Sequence, residues 1–338
     1  MSDLPELPVP VPEASPVPAM VPAMVPAMVS ATVSAEEPVV PATWTARDAD
    51  VSWCPASLRE ALDAGFVLAA GAEPRTIDAR AAGWQVTGAG VRGRSHAHRG
   101  EHRDDALAIA SRDDVLVLAV ADGAGSSALS RIGAAVTAQF AVENTLTRLA
   151  AATDGTSLSQ LGTAMAYAVH DAALRLHELA GLAACAPTAL RTTVIIAAIM
   201  GETMLVSQVG DGAVLVQRRD GGVVRVGATR ETAWAGEVTC FVPDACSMVQ
   251  AAELRQVSLA DVALVALMTD GVDDPFHPLE QSAAQLVAQW REGTRDAIGT
   301  ARQPDAPPVL GNVDALLRWL SFEQRGEVDD RTLLLAWR

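Results

Sequence analysis

The chain has 338 residues, half of them apolar, which allows a sizeable core in one large domain or two. Its 25 basic residues stand against 41 acidic ones, a net charge of −16. That balance speaks against nucleic-acid partners and anionic membrane surfaces, both of which need clustered basic side chains. Four cysteines do not make a disulfide scaffold: Cys54 and Cys185 stand alone, and Cys240 and Cys246 lack partners at zinc-finger spacing. A reduced, cytoplasmic compartment is the expectation.

Residues 1–41 carry 10 of the 19 prolines and three tandem VPAM repeats, at 17–20, 21–24 and 25–28. Such a tract favours extended conformations and builds no core, so it is expected to be a disordered extension. Residues 15–35 are uncharged, yet Pro16, Pro18, Pro22 and Pro26 interrupt them too often for a membrane helix. No basic residue precedes Arg47, so a signal peptide is not expected. Residues 42–85 form a lead-in of unassigned role, with an amphipathic helix expected over Ser57–Leu68 and Ser57 as its N-cap. From residue 86 to 338 one folded domain is expected. Its short apolar runs predict strands at Trp84–Thr87, Ala106–Ala110, Val115–Ala121, Thr193–Met200, Met204–Val209, Ala213–Gln217, Val223–Val226, Val262–Met268 and Thr332–Trp337. Helical spacing predicts Ser130–Ala152 and Leu158–Leu182, followed by Gln281–Trp290 and Gly311–Glu323. Strands, two consecutive helices and then mostly strands do not alternate regularly, so an α+β layered fold is expected rather than a doubly wound sheet.

Three apolar strands run into Asp-Gly: Val115–Ala121 into Asp122-Gly123, Met204–Val209 into Gly210-Asp211-Gly212, and Val262–Met268 into Thr269-Asp270-Gly271. Acidic pairs, Asp104-Asp105 and Asp329-Asp330, precede two more strands. One Asp-Gly is an ordinary turn. Five carboxylate positions at strand ends can converge, and converging carboxylates repel unless cations neutralise them. Oxygen-only donors suit Mg²⁺ or Mn²⁺, and two such ions make a hydrolytic centre.

The ordered series of an acidic pair, ADG at 121–123, VGDG at 209–212, TDG at 269–271 and DDRT at 329–332 resembles the metal-dependent serine/threonine protein phosphatases of type 2C. Arg191-Thr192-Thr193 is similar to the family's Thr-Thr pair before a strand, and GRSHAHRGEHRDDA at 93–106 resembles a bacterial branch. The resemblance implies a four-layer α/β/β/α sandwich with two central antiparallel sheets flanked by helices. It implies that Asp122 bridges two metal ions, with the Gly123 carbonyl completing the second site. It places Asp270 and Asp329 on the first ion, Asp104 and Asp105 on ion-bound waters, and Asp211 with Asp270 on a third ion. The implied cofactors are two or three Mn²⁺ or Mg²⁺ ions. The implied reaction is in-line attack on phosphoserine or phosphothreonine of a protein by a hydroxide that the ions activate, without a phosphoenzyme. The implied partner is a phosphoprotein, the target of a cognate kinase; the chain is expected to act as a monomer, without nucleic acid or membrane.

The chain departs from the family at Gly100, where many members carry a phosphate-binding arginine five residues before the position of Asp105. His96, Arg99, Arg94 and Arg103 are the candidates to replace it; His96 and Arg99, with Asp105, are taken as the catalytic set. A second reading is a phosphatase-like module that binds ions or a partner without turnover. His96, His98 and His102 form HxHx₃H, read as a polar loop rather than a zinc site because no fourth ligand lies near. Gly88, Gly90 and Gly93 match GxGxxG, but a polar segment follows, so a nucleotide loop is set aside.

Overall fold

The computed structural model describes residues 54–62, 74–151, 157–227, 240–293, 307–324 and 326–338. The Pro-rich extension therefore lies outside the described residues, as does the expected helix beyond residue 62. The elements run α1 (Ala56–Ala61), β1 (Arg75–Ala81), β2 (Trp84–Val91), α2 (Arg94–Arg99), β3 (Ala106–Arg112), β4 (Val115–Ala121), α3 (Ser130–Ala150) and α4 (Leu158–Leu182). They continue as β5 (Val194–Met200), β6 (Thr203–Val209), β7 (Ala213–Arg218), β8 (Val223–Val226), α5 (Cys246–Ala252), β9 (Arg255–Ser258) and β10 (Val262–Met268). The chain closes with α6 (Asp270–Asp273), α7 (Leu279–Glu292), α8 (Val313–Leu320) and β11 (Arg331–Trp337).

Two antiparallel sheets form, one in the order β1-β2-β11-β10-β7-β8 and the other β3-β4-β5-β6-β9. β4 shows why its strand is an unbroken apolar run. Leu116, Leu118 and Val120 pack between the sheets with Trp84, Ile195 and Val265. Val117, Ala119 and Ala121 face the other way, against Ile132, Val136, Met165 and Val169 of α3 and α4. A strand alternates its side chains, so burial on both faces demands apolar residues throughout. On the outer face of the other sheet, Leu264, Ala266 and Leu335 meet Leu286 and Trp290 of α7 and Leu316 and Trp319 of α8. The layers are helix, sheet, sheet, helix, as the family resemblance implied.

The ends of the elements follow local chemistry. Ser157 and Gln160 cap α4 reciprocally, and the Asn312 side chain accepts from Ala315 N–H to start α8. Ser57 does not cap α1; it lies inside the helix, which Pro55 precedes without a side-chain bond. Leu58 of α1 is fully buried, and Arg175 of α4 donates to the Ala61 carbonyl at 3.0 Å, so this turn belongs to the helical layer. The sheet begins at Arg75, so the expected domain start at residue 86 falls inside β2. Gly88 lies within β2, where a Cβ would meet the Leu107 side chain at 2.9 Å. Gly88 of the GxGxxG match is thus an inter-sheet packing position, while Gly93 begins α2 against the Asp329 main chain.

The cysteine reading needs correction: Cys240 and Cys246 are disulfide-bonded, with Cα atoms 6.0 Å apart. Cys54 and Cys185 are free, as expected. Among the described residues no helix is long and apolar enough to cross a membrane.

Candidate metal centre and active site

Antiparallel pairing puts the end of one strand beside the start of the next. Ala106 of β3 pairs with Ala121 of β4, so Asp105 and Asp122 share one edge of their sheet. In the other sheet Met268 pairs with Leu333 and with Ala213, which places Thr269, Thr332 and Gly212 at one edge. The Gly210-Asp211-Gly212 turn carries the chain from β6 in one sheet to β7 in the other. The acidic positions therefore gather on one rim.

The rim is held by main-chain contacts. Thr193 N–H and Thr192 Oγ1 both donate to the Asp122 carbonyl, at 2.8 and 2.7 Å, and Asp122 N–H donates to Thr193 Oγ1 at 3.2 Å. A Cβ at Gly123 would lie 2.8 Å from the Asp104 carbonyl oxygen and 2.9 Å from Ser130 Cβ, so only glycine fits. Gly271 lies against the Asp330 carbonyl oxygen with no room for a side chain.

Carboxylate oxygens of Asp122, Asp211 and Asp270 lie within 4.8 Å of one another. Asp105, 3 % exposed, is hydrogen-bonded to Asp122 and accepts from Thr269 Oγ1 at 2.8 Å. Asp329 is close enough that its charge acts on Asp122, Asp270 and Asp105. Burial, then the charges of Asp270 and Asp105, push the Asp122 carboxyl far above the usual range. Burial, then the charges of Asp211 and Asp329, do the same to Asp270. Asp105 is pushed up to about 7, first by burial and then by the charge of Asp330. Such a set is self-repelling without a cation, and its all-oxygen chemistry fits a hard divalent ion. The residues present therefore fit the metal that the resemblance implies. Among the described residues the metal-competent group holds aspartates only; His96 and His102 are buried while His98 is exposed, so HxHx₃H is not a metal set.

The acidic pair splits. Asp105 turns into the carboxylate cluster, while Asp104 turns to its margin. There Asp104 accepts from Ser130 Oγ at 2.8 Å, pairs with Arg131 at 3.0 Å and faces His96 Nε2 at 3.6 Å. Asp330 organises this margin. Its carboxylate is 2 % exposed and accepts from Gly93 N–H at 2.6 Å and Asp104 N–H at 2.5 Å, with His96 Nδ1 at 2.9 Å. Burial opposes charge on His96, but the hydrogen bond to Asp330 and the charges of Asp330 and Asp104 overcome it and raise the imidazole to about 9. Burial likewise opposes charge on Asp330, and the His96 contact with the two N–H bonds brings it below the usual carboxylate range. Sequence reasoning placed Asp330 beside the site without giving it a role. The doubled aspartate was the available signal, because neighbouring side chains at a strand start point to opposite sides.

The four candidates for the missing arginine separate. Gly100 itself terminates α2 with φ 73°, a conformation that disfavours a side chain there. Arg103 is 1 % exposed and donates from Nε to the Asp105 carbonyl at 2.8 Å, so it supports the main chain. Arg94 pairs with Glu323 at 2.7 Å. His96 and Arg99 line a cleft of about 630 Å³ together with Asp104, Ser127 and Arg131. Arg99 is exposed there and contacts Ser95 and, at 2.5 Å, Glu101.

Residues 92–303, more than half of the chain, match the family model described as protein phosphatase 2C. No curated protein is matched by the sequence. Among solved structures, the fold is similar to the serine/threonine phosphatase of S. agalactiae, at 16% identity and TM-score 0.54, over 75% of this chain and 99% of that one. It is similar to the serine/threonine phosphatase Stp1 of Staphylococcus aureus, at 15% identity and TM-score 0.51, over 75% and 94%. A C. elegans sex determining protein shares it at 16% identity and TM-score 0.53, over 75% of this chain and 64% of that one. With the ordered aspartates and the family match in hand, the chain belongs to the protein phosphatase 2C family and is a protein serine/threonine phosphatase.

Proposed function

We propose that the rim holds two divalent ions, Mn²⁺ or Mg²⁺, with Asp122, the Gly123 carbonyl, Asp270 and Asp329 as ligands. Asp104 and Asp105 hold the surrounding water, and Asp211 with Asp270 takes a third ion. The approach of the Asp122, Asp211 and Asp270 carboxylates to within 4.8 Å carries this reading. Ions bound there supply an activated water and offset charge on the phosphoryl group.

The chain's own side chains complete the site. Asp105 stands beside Asp122, positioned by the hydrogen bond that Thr269 Oγ1 donates to it. Arg99 and His96, on the cleft wall, donate to phosphoryl oxygens in place of the arginine absent at Gly100. Asp330 accepts from His96 Nδ1–H, and in the imidazolium form the second proton sits on Nε2, on the side of Asp104 and the cleft. The substrate is a phosphoprotein, the target of a cognate kinase, bound by a monomer in the cytoplasm without nucleic acid or membrane. Residues 1–41 act as a tether, and the catalytic unit extends forward of residue 86 to include β1.

Hydrolysis of p-nitrophenyl phosphate and a phosphothreonine peptide, with Mn²⁺, Mg²⁺ or EDTA and an Asp270→Asn control, tests the reading. Turnover should require the ion and disappear in the variant. Turnover that survives EDTA, or survives Asp270→Asn, overturns it.

A further inference from the structure

The disulfide lies on the scaffold of the rim rather than away from it. Cys240 is 1 % exposed and Cys246 is exposed. Between them Val242 exchanges two main-chain hydrogen bonds with Thr192, at 3.0 and 2.8 Å. Thr192 is the residue whose hydroxyl, with Thr193 N–H, holds the Asp122 carbonyl. The bridge continues through Thr192 to Gly123. On the other side, the Cys240 carbonyl oxygen packs 3.2 Å from where a Cβ of Gly210 would stand, beside Asp211. Cys246 begins α5, whose Gln250 Oε1 accepts from Gly210 N–H at 3.0 Å and whose Ala251 carbonyl accepts from Ser207 Oγ at 2.9 Å. One covalent link thus fastens two main-chain supports, one beneath Asp122 and one beneath Asp211.

We propose that Cys240 and Cys246 form a thiol–disulfide switch, in which the bridged state holds the supports of Asp122 and Asp211 and the reduced state releases them. The proposal rests on the reading of those aspartates as metal ligands. A disulfide in a cytoplasmic protein is more often transient than structural, and its exposed half gives a reductant access. The thiolate of a dithiol reductant attacks Cys246 Sγ; the Cys240–Cys246 bond breaks, and Cys240 leaves as a thiolate that takes a proton. The reductant's second thiol then displaces Cys246 as a thiol, and the reductant ends as a disulfide, having given two electrons. Hydrogen peroxide reverses the change. Cys246 thiolate takes one peroxide oxygen as a sulfenic acid, and Cys240 thiol displaces it; two waters leave overall.

The test compares the full chain in its peroxide-treated and dithiol-treated states, with the gain of two hydrogens read by mass spectrometry. Mn²⁺ affinity is measured by calorimetry, and amide exchange is followed at 122–124, 191–193 and 210–212. On reduction the affinity should fall about 10- to 100-fold, the range for losing groups that orient a ligand, and exchange at those three segments should quicken while β4 and β5 stay protected. Cys246→Ser should match the reduced state and ignore the dithiol; if that variant misfolds, reduction of the wild-type chain still decides. Verified reduction with affinity and exchange both unchanged overturns the switch, as does failure of peroxide to form the bridge. Absence of Mn²⁺ binding in both states overturns the metal reading instead, and the exchange data still judge the switch.

Discussion

Replacing Asp270 with asparagine should stabilise the metal-free protein while removing its activity. The Asp270 carboxylate lies within 4.8 Å of Asp122 and Asp211. Two unit charges at that distance repel by about 3 kcal/mol at an effective dielectric of about 20. The metal-free fold relieves part of this by binding protons, as the raised affinities of Asp122 and Asp270 indicate. Asparagine keeps the shape and removes one charge, so the recovered stability should be about 1–3 kcal/mol, or roughly 2–6 °C in Tm. The pH dependence has a definite sign. Carboxyls raised above their unfolded values favour the fold at low pH, and that contribution is lost as pH rises through the folded values. Wild-type protein in EDTA should therefore lose stability from pH 5 to pH 8, and the loss should be smaller in Asp270→Asn. The assay is thermal unfolding in EDTA and in Mn²⁺. Mn²⁺ should raise the wild-type Tm and leave the variant nearly unmoved. A lower Tm for Asp270→Asn in EDTA would refute the reasoning, because it would make Asp270 a structural acceptor rather than a repelled ligand.

The remaining expectations concern the margin of the site. The raised His96 contributes about 3 kcal/mol, present in full below pH 6.5 and lost as pH rises through about 9. In EDTA the stability gap between wild type and His96→Gln should therefore close over that window, and a gap independent of pH would show that the imidazole acts only by packing. Gly271→Ala should cost about 3 kcal/mol by urea unfolding, since the Asp330 carbonyl oxygen cannot retreat without disturbing the bonds Asp330 makes. Wild-type stability in that variant would contradict the close approach. Arg99→Ala should raise KM for a phosphothreonine peptide about tenfold, the size of one charge-assisted contact, with a smaller change in kcat. An unchanged kcat/KM would remove Arg99 from phosphate binding.

Residue pattern alone specifies the strands buried on both faces, because only an unbroken apolar run survives there, and the long helices, because their spacing is plain over 20 residues. It also determined the order of the aspartates at strand ends, since Asp-Gly after a buried strand is a local pattern. It did not reveal β1, whose burial alternates weakly at a sheet edge, or α2, a six-residue helix without a side-chain cap. The tertiary structure alone decided what faces what. It sent Asp105 into the carboxylate cluster and Asp104 to its margin, buried Arg103 as a main-chain support, and left Arg99 on the cleft wall. It joined His96 to Asp330, 234 residues apart in the chain, and set the Cys240–Cys246 segment against Thr192 and Gly210, the neighbours of Asp122 and Asp211. These are contacts between distant segments, fixed by sheet register and by which element crosses from one sheet to the other, and local residue patterns carry no record of either.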